Sequence, residues 1–189
     1  MVFQFKIQLS GIINPTVWRR VSVPAQFTFK RMHKLIQVAF GWEDMHLFQF
    51  SPVGRAASPI IDIPYEDDMF FDEREKWDAA KSKLRDLFTE EGQRFGYVYD
   101  MGDYWLHEII LEKITASKAT KAALLAGKGA CPPEDCGGPG GYDELKIILS
   151  DPDHPDNLEM REWLALDEEE DWDPAYYDLA ETAKRVLIV

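Results

Sequence analysis

Apolar positions along the chain follow two periods, and the order in which they change outlines the fold. Val2, Phe3, Phe5, Ile7 and Leu9 stand against Gln4, Lys6 and Gln8, the alternation of a half-buried strand. Asn14-Pro15 marks a turn. Val17 to Val23 predicts a second strand, which carries Trp18, Arg19 and Arg20 and ends at Pro24. The period then lengthens. Met32, Leu35, Ile36, Ala39 and Phe40 fall on one apolar stripe of a helix. Thr28 is its expected N-cap and Gly41 its C′ residue. Lys30, Arg31, Lys34 and Gln37 take the opposite face, His33 lies near it, and Trp42 packs back over the helix end.

Further along, His46 to Val53 and Ile60 to Ile63 read as strands, and the acidic stretch 64–76, with Phe70-Phe71 inside it, reads as a mobile or excursive loop. Residues 77–90 fit either a helix or a short strand near Lys81–Leu84 followed by a helical turn over Leu84–Phe88. Phe95 to Tyr99 and Tyr104 to Ile114 form a hairpin whose connection, Asp100-Met101-Gly102-Asp103, has turn chemistry. Residues 119–126 are expected as a short helix and 127–142 as a Gly/Pro/Cys loop. Three helices follow, over Tyr142–Leu149, Leu158–Leu166 and Leu179–Leu187, punctuated by His154-Pro155 and Asp173-Pro174. Strands first and helices last predict an α+β class, an α/β roll with a mainly antiparallel sheet, helices on one side and a helical C-terminal region. One domain over 1–189 is expected, with a sheet-rich part and one helix in 1–115 and the cysteine loop and helices in 116–189.

Composition fits that picture. The chain has 189 residues, 46% of them apolar and 13% aromatic, enough to bury roughly 70% of the surface an unfolded chain exposes. The beginning lacks a basic region followed by a long apolar run, and no stretch approaches a membrane span. Two cysteines suit a reducing compartment, so a cytoplasmic protein is expected. The net charge is -13 but unevenly spread. Residues 1–42 hold six cations (Lys6, Arg19, Arg20, Lys30, Arg31, Lys34) and no carboxylate, whereas 143–189 hold fifteen carboxylates against four cations. Either the basic face meets an anionic partner or the acidic tail folds back onto it, and the second is the simpler reading. Overall acidity disfavours broad nucleic-acid binding.

Five stretches carry a family resemblance. They are Pro15-Thr16-Val17-Trp18-Arg19-Arg20; Gly41-Trp42-Glu43-Asp44 with His46; Tyr99-Asp100-Met101-Gly102-Asp103-Tyr104-Trp105 with His107-Glu108; Ala130-Cys131-Pro132-Pro133-Glu134-Asp135-Cys136-Gly137-Gly138-Pro139; and Asp151-Pro152-Asp153-His154-Pro155. Together, in this order, they resemble the Ri-plasmid ORF-three-like family of bacteria and archaea. The resemblance implies an α/β roll, no established activity, and an occasional association with mobile elements that rests on gene neighbourhood. The chain departs from the family pattern at Met101 and Gly140, where aromatics are common.

Several groups could carry chemistry. Cys131 and Cys136 would need further ligands from His46, His107, Glu134 or Asp135 to hold zinc; packing thiols compete with that reading, as do a disulfide and nucleophilic use. Asp100 and Asp103 flank the hairpin turn, where cation binding competes with turn formation. His46 and His107, each near a tryptophan in sequence, would share a face with Asp103 if their strands pair. Arg19 and Arg20 offer an anion surface if they are not held in ion pairs, with Trp18 in the core. The glycine run before Tyr142 offers amides to an anion. Trp42, Trp105 and Tyr142 complete the residues expected to face a ligand. The phosphate-binding Gly-rich loop, the Gly-x-Ser-x-Gly elbow and the His-Glu-x-x-His helix are absent from the sequence. The expectation is a non-catalytic binding or accessory module whose partner is a protein rather than nucleic acid or membrane; the competing expectation is a metal-dependent enzyme with a Cys/His/Asp site.

Overall fold

Alternation in the first strand, β1 (Val2–Leu9), decides which face of the sheet is covered. Phe3, Phe5, Ile7 and Leu9 are buried, while Gln4, Lys6 and Gln8 stay half-exposed on the other face. The computed structural model describes residues 1–53, 57–64, 74–167 and 170–189. Their remaining strands are β2 (Trp18–Pro24), β3 (Phe48–Pro52), β4 (Ile60–Asp62), β5 (Lys76–Asp78), β6 (Arg94–Tyr99), β7 (Trp105–Thr115) and β8 (Ala123–Lys128). All eight join one sheet in the order β5-β4-β3-β6-β7-β1-β2-β8. Every pairing is antiparallel except β4 with β5. With four helices, this is the expected α+β class. The expected acidic loop at 64–76, with Phe70-Phe71, falls mostly outside the described residues.

Helix α1 (Phe29–Phe40) lies on the covered face. Thr28 Oγ1 accepts from Arg31 N at 3.2 Å, and Gly41 leaves the helix at φ 108. Both ends therefore satisfy backbone groups that a helix otherwise orphans. The stripe meets an aromatic core in which Phe29 packs on Phe50 at 5.2 Å and Phe88 on Phe5 at 4.8 Å. Burying each such ring is worth about 2–3 kcal/mol. Helices α2 (Gly138–Ser150) and α3 (Asn157–Trp163) pack on each other, and α4 (Leu179–Val186) packs against α1 and β8.

Several expectations are corrected. Residues 119–126 are not a helix: Ala123–Lys128 is the edge strand β8, paired with β2 from Ser22↔Ala123 to Trp18↔Lys128. Pairing overrides the helical preference of its alanines and leucines. The sheet thus crosses the expected division at residue 115. In 77–90 there is a 3-10 turn at Leu84–Asp86 and an isolated bridge between Thr28 and Lys83 rather than a long helix. Helix α2 begins at Gly138, ahead of Tyr142.

Trp18 and Arg19 exchange their expected places. Trp18 is half-exposed, and Arg19 is buried on the covered face. Its guanidinium donates to Ala39 O (2.8 Å), Trp18 O (2.9 Å), Lys128 O (2.8 Å) and Gly129 O (3.0 Å). Phe40 and Tyr177 lie over it, with ring centres 4.8 and 3.6 Å from Cζ. Backbone carbonyls and π faces replace a counter-ion there. Burial lowers its pKa below the ordinary arginine value. Arg20, on the opposite face, pairs with Glu112 at 2.6 and 2.8 Å.

His33 and Gln37 are also buried rather than polar-faced. His33 stacks on Phe48 with ring centres 3.7 Å apart. Its Nδ1 lies 2.8 Å from Tyr97 Oη and its Nε2 2.6 Å from Asp44 Oδ1. Burial pulls the ring pKa down to about 4, against the opposing pull of Asp44. The ring is therefore neutral at pH 7, and the Asp44 contact is a hydrogen bond rather than an ion pair. The network assigns the tautomer: Nε2–H donates to Asp44, while Nδ1 accepts from Tyr97. Gln37 Nε2 donates to the same hydroxyl at 3.0 Å, and Gln37 Oε1 accepts from Asp44 N at 3.0 Å.

Candidate metal centre

Three loops meet at one end of the sheet: the segment after α1, the β6–β7 turn and the cysteine loop. Their meeting is fixed by hydrogen bonds. Trp42 Nε1 donates to Pro132 O at 3.0 Å. Tyr99 Oη accepts from Met45 N (2.9 Å) and His46 N (3.3 Å) and donates to Glu134 Oε1 at 2.9 Å. Glu134 Oε1 also accepts from Glu43 N at 2.9 Å. Burial, then Glu134, drives the Tyr99 pKa upward, so its hydroxyl keeps the proton it donates. Asp103 Oδ2 accepts from Gly137 N at 3.1 Å, and Asp100 N donates to Leu47 O at 2.9 Å.

The converging side chains are His46, Asp100, Asp135 and Glu134. His46 Nε2 lies 3.0 Å from Asp135 Oδ1, 3.7 Å from Asp100 Oδ2 and 3.8 Å from Glu134 Oε2. None of these contacts is a hydrogen bond: His46 Nε2 and Glu134 Oε2 are enclosed atoms without a hydrogen-bond partner. Asp100 is nearly buried, and its other oxygen caps the turn by accepting from Gly102 N at 2.8 Å. Asp44, Asp100, Tyr104 and Asp135 all adopt left-handed backbone (φ 62, 55, 56 and 57). Such strain concentrates where geometry serves a site.

Among the described residues, His46, Asp100 and Asp135 are the group of His, Cys, Asp and Glu side chains whose ligand atoms lie within 4.8 Å of one another. Ligand atoms bonded to one cation at 2.0–2.2 Å are separated by about 3.0–3.6 Å. The observed spacings need little adjustment to meet that. One imidazole with carboxylates suits first-row cations such as Mn2+, Fe2+ or Zn2+ better than a soft thiolate-seeking ion.

The structure places the other expected residues elsewhere. His107 is enclosed by Phe40, Trp42 and Tyr97, with Nδ1 2.9 Å from Trp105 O. It does not share a face with His46 and Asp103; Trp42 and Tyr99 stand between the two imidazoles. Burial depresses its pKa to about 3. Trp42, Trp105, Tyr142 and Arg19, expected at a ligand-facing surface, are buried. Asp103 pins the cysteine loop rather than joining the cluster. Cys131 and Cys136 are free thiols raised in pKa chiefly by burial, Cys136 to about 12, and they pack against the core. Sequence reasoning has Glu134 and Asp135 only as helpers to the thiols; their place two residues and one residue before Cys136 is the signal that could promote them.

An α+β sheet whose motif loops build a histidine–carboxylate cluster is the class of protein this geometry defines. The chain belongs to the plasmid pRiA4b ORF-3-like protein family, whose pattern matches residues 1–181. It is 33% identical over 192 residues to the uncharacterized protein y4hQ of Sinorhizobium fredii (strain NBRC 101917 / NGR234), covering 98% of this chain and 90% of that protein. It is similar to the crystal structure of the protein of unknown function MM3350 from Methanosarcina mazei Go1, with a TM-score of 0.77, 33% identity, and 95% and 96% of the two chains covered.

Proposed function

We propose that this single-domain protein is a non-catalytic binding module that holds one divalent cation between His46, Asp100, Asp135 and Glu134. The observation that carries the reading is His46 Nε2, an enclosed atom without a hydrogen-bond partner that clusters within 4.8 Å with ligand atoms of Asp100 and Asp135, with the equally unpartnered Glu134 Oε2 3.8 Å from it. An enclosed polar atom without a partner costs about 1–3 kcal/mol, and a shared cation removes that cost for both. The competing reading, a metal-dependent enzyme, draws on the same four groups. It is less favoured because His107, one of the expected histidine pair, is sealed in the core, and both thiols are held protonated.

A protein partner fits this module better than nucleic acid, because four of the six N-terminal cations are engaged within the fold. Arg19 lies among carbonyls, Arg20 pairs with Glu112, Arg31 with Val189 O and Lys34 with Asp44. No helix among the described residues is long and apolar enough to cross a membrane. A cytoplasmic setting and a link to mobile elements remain part of the proposal.

The test is elemental mass spectrometry on protein purified without chelator, with calorimetric titration of Mn2+ and Zn2+. About one cation per chain, abolished by His46→Ala and by Asp135→Asn but kept by Cys131→Ala, is the expected result. Binding that follows Cys131 rather than His46 would move the centre to the thiols, and no binding at all would remove the proposal.

A further inference from the structure

We propose that the groove between α2 and α3 is a docking site for a basic peptide segment of a partner protein, one carrying lysine or arginine on either side of a large apolar side chain. The groove encloses about 390 Å³, within the range of sites that take a few side chains. Its floor is apolar: Leu145 and Ile148 from α2, and Met160 and Trp163 from α3. Trp163 is 46% exposed, a large indole that the fold leaves uncovered at the groove wall. Its rim carries carboxylates from three places: Glu144 on α2, Asp156 and Glu159 at the start of α3, and Asp135 on the cysteine loop.

Among the described residues, no lysine or arginine lines the groove. The two cations of these helices are committed elsewhere. Lys146 pairs with Asp143 at 2.7 Å and donates to Asn14 O at 2.9 Å. Arg161 donates to Asp167 O and Glu170 O. The rim is therefore acidic, with the imidazoles of His46 and His154 beside Asp135 and Asp156, and the floor asks for an apolar anchor. That combination selects the occupant. A wholly apolar segment would leave the carboxylates to be desolvated without partners. A nucleic acid would be repelled. An aromatic or leucine anchor on Trp163 and Met160, flanked by cations that reach Glu144 and Glu159, satisfies both surfaces. A guanidinium over the exposed indole adds a cation–π contact.

The groove stands independently of the cation reading, although Asp135 borders both. The experiment is accordingly run in chelator, so that failure of the cation site cannot imitate failure of the groove. The probe is a short fluorescein-labelled peptide of lysine and arginine around a central phenylalanine, followed by fluorescence anisotropy. The comparison peptide replaces each cation with glutamate. Saturable binding of the basic peptide alone is expected. Glu144→Gln and Glu159→Gln should each weaken it about fivefold, and Trp163→Ala about tenfold. Glu90→Gln, an equal loss of charge on an exposed turn outside the groove, should leave it unchanged. Equal weakening by Glu90→Gln would show diffuse attraction to an acidic protein and overturn the proposal. So would unchanged binding in Trp163→Ala, or complete displacement by spermidine at concentrations comparable to the peptide, which would make the occupant a small organic cation. Circular dichroism of each variant separates loss of binding from loss of fold.

Discussion

His33 and His46 both sit against aspartates, and they differ in whether their hydrogen bonds are complete. His33, under α1, has both ring nitrogens engaged, by Tyr97 and Asp44, and its face covered by Phe48. His46, where the loops meet, has an enclosed nitrogen beside three carboxylates and no hydrogen bond from it. A completed polar network holds structure and has nothing left to offer a ligand. An incomplete one, built by three loops at once, has ligand capacity to spare. The same criterion sorts the arginines: Arg19 is saturated by four carbonyl contacts and belongs with His33.

The widest separation should come from Arg19. Arg19→Met takes the guanidinium donors from the carbonyls of Trp18, Lys128 and Gly129 and leaves Ala39 O only the Tyr177 hydroxyl, and a loss of about 3–5 kcal/mol is expected in urea unfolding. A loss below 1 kcal/mol would mean that Arg19 is as dispensable as a surface residue.

Acid should act on the buried imidazoles next. Both His33 and His107 have folded pKa values below the ordinary histidine value, at about 4 and about 3, because burial disfavours the charged ring. The unfolded chain therefore takes up protons first. The stability these neutral rings provide is whole above about pH 6.5 and is lost as the pH falls through 4 towards 3. Unfolding midpoints at pH 7, 5 and 4 should fall in that order, and His107→Leu should flatten the decline. A flat profile in the wild type would place both rings in contact with water.

Gly141→Ala tests the loop end. A Cβ at Gly141 would run into Cys136 O, so the cysteine loop must move. We expect a loss of about 1–3 kcal/mol together with weaker cation binding, measured by denaturation and calorimetry on the same sample. Stability lost with cation affinity retained would separate the loop's packing from its ligands.

Tyr99→Phe is milder. It removes the hydroxyl that ties Glu134 to the backbone of Met45 and His46. Cation affinity should fall about tenfold, the usual effect of losing a group that orients ligands, with the fold kept by circular dichroism. The smallest effect is expected at Cys131→Ala, which should leave cation affinity within about twofold, since that thiol packs in the core.

The parts of the fold that were legible in sequence are those where local pattern and burial agree. The α1 stripe, its Thr28 and Gly41 ends and the β6–β7 hairpin needed only periodicity and turn chemistry. β8 was illegible because Ala122, Ala123, Leu124, Leu125 and Ala126 favour helix locally and become a strand only by pairing with β2. Alternation placed Arg19 opposite Trp18 correctly. The error lay in assuming that the apolar partner faced inward, since four carbonyls at Ala39, Trp18, Lys128 and Gly129 cannot be seen before the chain closes around them. His46 and Asp100 could be named from their motifs. That Asp135 and not His107 would join them depends on a meeting of loops some ninety residues apart, and spacing carries no trace of that.

This long-range assembly has a consequence for folding. The cluster exists only once β6 and β7 have paired, α1 has docked and the cysteine loop has closed over Trp42. A ligand of this site would therefore bind the completed chain and no partial one. Its free energy would add to the global unfolding equilibrium and not to any local opening. Hydrogen exchange at amides as distant as those of β1 and β2 would slow on binding, and the cation would act as a gauge of whether the whole sheet is in place.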